Sequence, residues 1–179
     1  MRTDRLQQEY GIQLRWRCFP LHPETPPEGR ELAEIFAGRE AMIRDMQARL
    51  LQVAVAEGLP LTERSRTYNS RLAQELGKWA EEQGRGDQFR HAVYRAYFVE
   101  GANIAQAEEL VRIAAAAGLP ADEARTVLTE RSCAAAVDAD WQRAIDLRIT
   151  AVPTHLYGGK RLTGFAAYDD FVRLIGESR

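Results

Sequence analysis

The chain has 179 residues, of which 45% are apolar and 28% charged, and its formal net charge at pH 7 is -2. That length allows one domain with a real core and an inserted subdomain. The near-neutral balance excludes the basic stripe of a nucleic-acid binder, and the lack of an apolar run of about 18 residues excludes a membrane span.

The first residues, MRTDRLQQEYG, are charged and have no apolar h-region, so a cytosolic location is expected. Residues 12–19, IQLRWRCF, place Ile12, Leu14, Trp16 and Cys18 in alternation with Gln13, Arg15 and Arg17. A period of two predicts a half-buried strand. The following PLHPETPPEG is too rich in proline for a helix or a central strand and reads as an ordered surface connection.

From about Arg30 to Arg148 the pattern is helical. Ile43, Met46, Leu50 and Val53 share one face of a helix that Gly58 ends. Asn69 is the expected N-cap of a helix that turns Leu72, Leu76 and Trp79 inward and stops near Gly84. Asp87 caps the next, which buries Phe89, Val93, Ala96 and Tyr97. A helix carrying Ile104, Leu110, Ile113 and Ala114 ends at Gly118. Pro120, Asp122 and Glu123 suit the first turn of another, with Val127 and Leu128 inside. The last of the series uses Val137, Trp141, Ala144 and Ile145.

The final 30 residues change character. ITAVPTHLY is extended, Gly158-Gly159 signals a two-residue hairpin, and KRLT returns as a second strand. After Gly164, Tyr168, Phe171, Val172 and Ile175 predict an amphipathic helix.

This order and four local strings resemble the FrnE-like branch of the DsbA family. The strings are FPLHPETPPEG from Phe19, YNSRLAQELGKWAEEQG from Tyr68, FRHAVYRAYFVEGANI from Phe89 and ITAVPTHLYGGKRLTG from Ile149. The resemblance covers nearly the whole chain. It implies an α/β, thioredoxin-like fold with a large all-helical insertion. Residues 1–29 and 149–179 would form the thioredoxin-like domain, and 30–148 the helical insert. In the family a first β-strand and a Cys-Pro-x-Cys precede the segment that RTDRLQQEYG resembles. On this reading both are missing here, and the chain is truncated before them.

The family chemistry is protein thiol–disulfide exchange, which needs an activated thiolate and a resolving thiol nearby. Cys18 and Cys133 are the two cysteines, and no C-x-x-C occurs. No catalytic residue is therefore assigned, and redox inactivity is expected of these 179 residues. Cys18 reads as a strand-face core residue and Cys133 as a structural thiol beside a helix start. His22, His91 and His155 lack metal-ligand spacing, so no metal or other cofactor is expected. His155 is read as a packed or solvated strand residue that could also face a groove. Trp79, Tyr94, Tyr97 and Phe98 read as core and groove lining.

The resemblance assigns substrate binding to Val152, Pro153 and Thr154. Pro153 would be the family's cis-proline, with the preceding backbone pairing to bound peptide. The implied partner is an extended peptide or a thiol-containing protein. Two alternatives stand beside the oxidoreductase reading: a motif-less peptide-binding module, and a truncated relative of 2-hydroxychromene-2-carboxylate isomerase or the kappa-class glutathione transferases. With the family's central strand missing, residues 12–19 are expected either to close onto 154–158 or to recruit a second chain as a homodimer.

Overall fold

The structure, a computed structural model, describes residues 2–176. In chain order its elements are α1 (Arg2–Tyr10), β1 (Arg30–Glu31), α2 (Leu32–Ile35), α3 (Glu40–Ala56), β2 (Arg66–Thr67), α4 (Arg71–Glu82), α5 (Gly86–Phe98), α6 (Ala107–Ala116), α7 (Ala121–Glu130), α8 (Ala134–Asp146), β3 (Thr154–Tyr157), β4 (Lys160–Thr163) and α9 (Tyr168–Gly176). Two compact units result: residues 1–21 with 139–179, and residues 22–138. The changeover falls inside α8.

The larger unit is built on a helical core. Leu76, Phe89, Leu110, Ala114 and Ala124 are buried at its centre, and Trp79, Val93, Ile113 and Leu128 close around them. The 3.6-residue spacing of these side chains is what the sequence displayed, and α4 to α7 follow it. Helix ends fall at glycines in left-handed conformation: Gly58, Gly84 and Gly118 have φ of 67°, 68° and 80°, a region that costs glycine nothing.

Within this core sits a fully buried carboxylate. Glu75 accepts two hydrogen bonds from Arg131, Nε to Oε2 and Nη2 to Oε1, both 2.6 Å, and a third from Arg71 Nε at 2.5 Å. Arg71 also donates to Asp138 at 2.7 Å and to the Ala134 carbonyl at 3.0 Å. Burial pushes the Glu75 carboxyl upward, but hydrogen bonds and charge from Arg131 and Arg71 outweigh it and hold the acid below its ordinary range. The same bonds explain why Arg131 is held left-handed, at φ 55°, at the end of α7. A β-carbon there costs about 1–2 kcal/mol, less than a buried charge left without partners.

Several sequence expectations are corrected here. Ile43 is buried, but Met46 and Leu50 on the same predicted stripe are about half exposed. The stripe is real, and α3 turns only its Ile43 edge inward. Ser70, rather than Asn69, is the N-cap of α4. Asn69 takes the Arg71 N–H on its Oδ1 at 2.8 Å and ties down the proline segment by donating to the Pro23 and Thr25 carbonyls. Helix α5 starts at Gly86, one residue before the expected cap. Two-residue strands β1 and β2 pair antiparallel, Arg30 with Thr67 and Glu31 with Arg66. They are too short to leave a period in the sequence. Ile145, expected inward, is 63% exposed, and Tyr94, read with Trp79, Tyr97 and Phe98 as core and groove lining, is 50% exposed.

The smaller unit has a compact apolar cluster of Leu6, Ala166, Phe171 and Ile175, with Ile12, Leu162, Tyr168 and Val172 packed against it. Strands β3 and β4 form an antiparallel hairpin with Tyr157 opposite Lys160. Gly158 and Gly159 take φ of 55° and 78° between them, as a two-residue turn with both centres left-handed requires. Residues 12–19 are not a strand, and no ladder joins them to 154–158. Alternation alone does not make a strand, because a ladder partner is also needed. Here side chains serve in its place: the Leu14 N–H donates to Gln7 Oε1 at 3.4 Å and the Cys18 N–H to Asp140 Oδ2 at 3.0 Å. Ile12 and Leu14 keep the half-buried alternation, while Trp16 is 41% exposed.

Candidate functional site

The candidate site is the loop that joins α8 to β3 in the smaller unit. Helix α8 ends in a turn in which the Arg148 N–H donates to the Ile145 carbonyl at 2.8 Å and the Ile149 N–H to the Ala144 carbonyl at 2.9 Å. Arg148 is left-handed, at φ 52°. Arg161 of β4 donates to the carbonyls of Leu147 and Arg148, the latter at 3.1 Å. A cation on the last carbonyls of a helix is favourable by charge as well as by hydrogen bonding. Arg161 thereby fixes where α8 stops and the loop begins.

From there the chain enters Ala151-Val152-Pro153, all exposed, and the Val152–Pro153 peptide bond is cis. Thr154 Oγ1 donates back to the Ala151 carbonyl at 2.6 Å, and the Gly164 N–H donates to the Pro153 carbonyl at 2.8 Å. The loop is thus pinned on both sides of Val152. Among the described residues, Val152 makes no backbone hydrogen bond of its own, and the residue is 44% exposed. An exposed backbone N–H and C=O beside a two-stranded sheet can pair with an incoming extended segment.

Val152, Pro153 and Thr154 are brought together as neighbours in one turn, and Thr154 works as a brace for the other two. His155 is set apart from them. Its ring meets Phe171 edge-to-face, centroids 4.7 Å apart, and Nδ1 is buried without a hydrogen-bond partner. Burial holds its pKa below the ordinary histidine value, against a raising contribution from the Leu162 backbone. The ring is a packing group of the smaller unit and does not line an open groove.

Cys18 and Cys133 lie in different units, and neither is in a disulfide. Cys133 is buried just before α8, and burial pushes its thiol pKa up, followed by the nearby Glu82 charge. Desolvation outweighs the helix N-terminus there, so the thiolate is suppressed. Cys18 is half-buried, held at its backbone N–H by Asp140. Among the described residues no three His, Cys, Asp or Glu side chains gather in a way that could hold a metal ion.

Trp79 is buried in the helical core and Tyr97 and Phe98 are half-buried. The latter two pack edge-to-face at 4.8 Å under the Arg64 guanidinium, which lies 4.4 and 4.9 Å from their centroids. They are structural aromatics of the helical unit.

Sequence reasoning missed two positioning residues, Asp140 and Arg161. Asp140 is 3% exposed and accepts from Arg17 Nη1 at 2.9 Å as well as from Cys18. Its signal was available: an acid at 140 interrupts the inward row of Val137 and Ala144. Arg161 carries no such mark, because an arginine on an exposed strand face looks like a solvated one.

A family model described as a DSBA-like thioredoxin domain matches residues 1–176. A solved structure of a probable DsbA oxidoreductase from Streptomyces coelicolor is 25% identical, with a TM-score of 0.89, and the match covers 99% of this chain and 81% of that one. The structure of a 2-hydroxychromene-2-carboxylate isomerase is 20% identical, with a TM-score of 0.74, covering 97% and 83% respectively. No curated protein sequence matches this chain. Among the described residues no helix is long and apolar enough to cross a membrane.

Proposed function

Because this chain belongs to the DSBA-like thioredoxin domain family, we propose that it holds extended polypeptide segments at the Val152-Pro153-Thr154 loop without exchanging disulfides through its own cysteines. Exchange requires a thiolate of lowered pKa and a second thiol within reach. The two cysteines stand at positions 18 and 133, outside any C-x-x-C. Cys133 is buried with its pKa raised, the opposite of an activated nucleophile.

The observation that carries the peptide-holding half is the exposed Val152 backbone, unclaimed by the rest of the described chain between two pinned carbonyls. Backbone pairing supplies affinity for an extended segment regardless of its sequence, and the exposed Val152 side chain adds an apolar contact. An extended polypeptide segment is the substrate class this reading favours.

The redox half is tested by insulin reduction with dithiothreitol as the driving thiol. The purified 179-residue chain is expected to leave the uncatalysed rate unchanged. Turnover that disappears in Cys133→Ala would overturn the reading and make Cys133 the nucleophile.

A further inference from the structure

Arg64, in the loop between α3 and β2, carries a guanidinium that is firmly held yet has no acceptor. It sits in the corner of two aromatic rings, 4.4 Å from the Tyr97 centroid and 4.9 Å from that of Phe98. The rings are themselves fixed: they meet edge-to-face at 4.8 Å, and the Tyr97 hydroxyl lies 3.0 Å from Thr67 Oγ1 in a hydrogen bond. The loop is braced as well. Gln47 of α3 donates to the Arg64 carbonyl at 3.1 Å, and the Thr62 N–H donates to the Phe98 carbonyl at 3.0 Å. Nη1 of Arg64 is nevertheless buried without a hydrogen-bond partner. Among the described residues no carboxylate or carbonyl accepts from this side chain.

An arginine on an open surface satisfies its donors with water, whereas a buried donor without a partner is costly and rare in a folded chain. The two rings balance part of the charge by cation–π contact but accept no ordinary hydrogen bond. A carboxylate is the acceptor that matches the planar guanidinium fork. The surface beside the cation is apolar. Phe98, against which the guanidinium lies, lines a shallow cleft together with Leu50, Leu51 and Leu61. Glu63 is the one acid among the lining residues; it is exposed and forms no ion pair with Arg64.

We propose that this cleft binds a small carboxylic acid with an apolar body. The carboxylate pairs with Arg64, and an aryl or branched-alkyl group packs on Leu50, Leu61 and Phe98. The cleft is only a few side chains across, which suits one such group and not a polypeptide segment. Because the rings and the loop already hold Arg64, little side-chain freedom is lost when the anion arrives. The site lies within residues 22–138 and is independent of the peptide-holding loop.

The test is a titration of the nitrogen-15-labelled full chain at pH 7 with phenylacetate, phenylacetamide and acetate. Phenylacetate is expected to give saturable shifts in the amides of Leu61, Arg64 and Phe98 and in the Arg64 Nε–H signal. Phenylacetamide keeps the ring but not the charge, and acetate keeps the charge but not the ring. Each should bind at least about tenfold more weakly. Arg64→Gln, checked by circular dichroism for an intact helical fold, should abolish saturation by phenylacetate. Should that variant fail to fold, the comparison of acid with amide on the wild type decides. No saturable shift at Arg64 with millimolar phenylacetate would overturn the proposal. So would equal binding of the amide, or a folded Arg64→Gln chain that binds the acid as wild type does.

Discussion

The two units of this molecule are held by different means. The helical unit, residues 22–138, rests on a large apolar cluster from four helices with a buried carboxylate at its heart. The smaller unit rests on an apolar cluster of four buried residues, a hairpin and side-chain hydrogen bonds that stand in for a ladder. The contrast shows where tolerance lies: the first unit carries the stability, while the second carries the loop to which function is assigned. A peptide-holding loop gains from a modest surrounding core, because segments of low local stability are the ones that adapt to ligands.

The largest expected effect is in the helical unit. Phe89 is 2% exposed at the centre of its cluster, and Phe89→Ala is expected to cost about 3–5 kcal/mol. The same change at Phe171, 6% exposed in the smaller cluster, should cost less, about 3 kcal/mol, since a site with few neighbours relaxes more completely around a deletion. Chemical denaturation of both variants checks the order. Equal losses would break the comparison.

Next comes the buried acid. Glu75→Gln keeps the shape but removes the charge that Arg131 and Arg71 surround. A loss of about 1–3 kcal/mol is expected, below that of a fully buried pair because half of the Arg131 side chain reaches solvent. A variant as stable as wild type would show that the network fixes geometry only.

The acid response should separate the units further. The Glu75 carboxyl is held below its ordinary value of 4.5, so its contribution is complete above that pH and fades as the pH falls through the lower folded-state value. His155 in the smaller unit is also depressed, from 6.5. Its neutral form is the one the fold accepts, so stability is highest above pH 6.5 and declines as the unfolded chain gains the proton first. The smaller unit is therefore expected to loosen at milder acidity than the helical one. Proton NMR of the His155 ring gives the smallest and sharpest reading: its midpoint is expected below 6.5, and one at or above that value would contradict the packing assigned to it.

The contrast between the units also governs what the sequence revealed. Helices α4 to α7 were legible because a buried helix face imposes its period on Leu76, Phe89, Leu110 and Val127 regardless of what else it meets. The hairpin was legible because Gly158-Gly159 is a local instruction. Residues 12–19 misled because alternation records which side is wet and says nothing about a ladder partner. The exposed ridge of α3 misled in the opposite sense, since Met46 and Leu50 have the period of a core face without being buried in the chain. Arg161 holds the start of the loop, and Asp140 holds Arg17 and Cys18, through tertiary hydrogen bonds that leave little or no periodic trace. The loop itself was found through the likeness of ITAVPTHLYGGKRLTG to a family, and not through any physical pattern in those residues.

The central claim is that the Val152-Pro153-Thr154 loop takes an extended polypeptide without redox chemistry. Titration of the nitrogen-15-labelled chain with a cysteine-free extended decapeptide tests it directly, because such a probe can pair by backbone alone. The account predicts saturable amide shifts centred on Ala151, Val152 and Thr154, with the helical unit unchanged. Saturation with the largest shifts in α4 to α7, or no shift at Val152 at millimolar peptide, would contradict it.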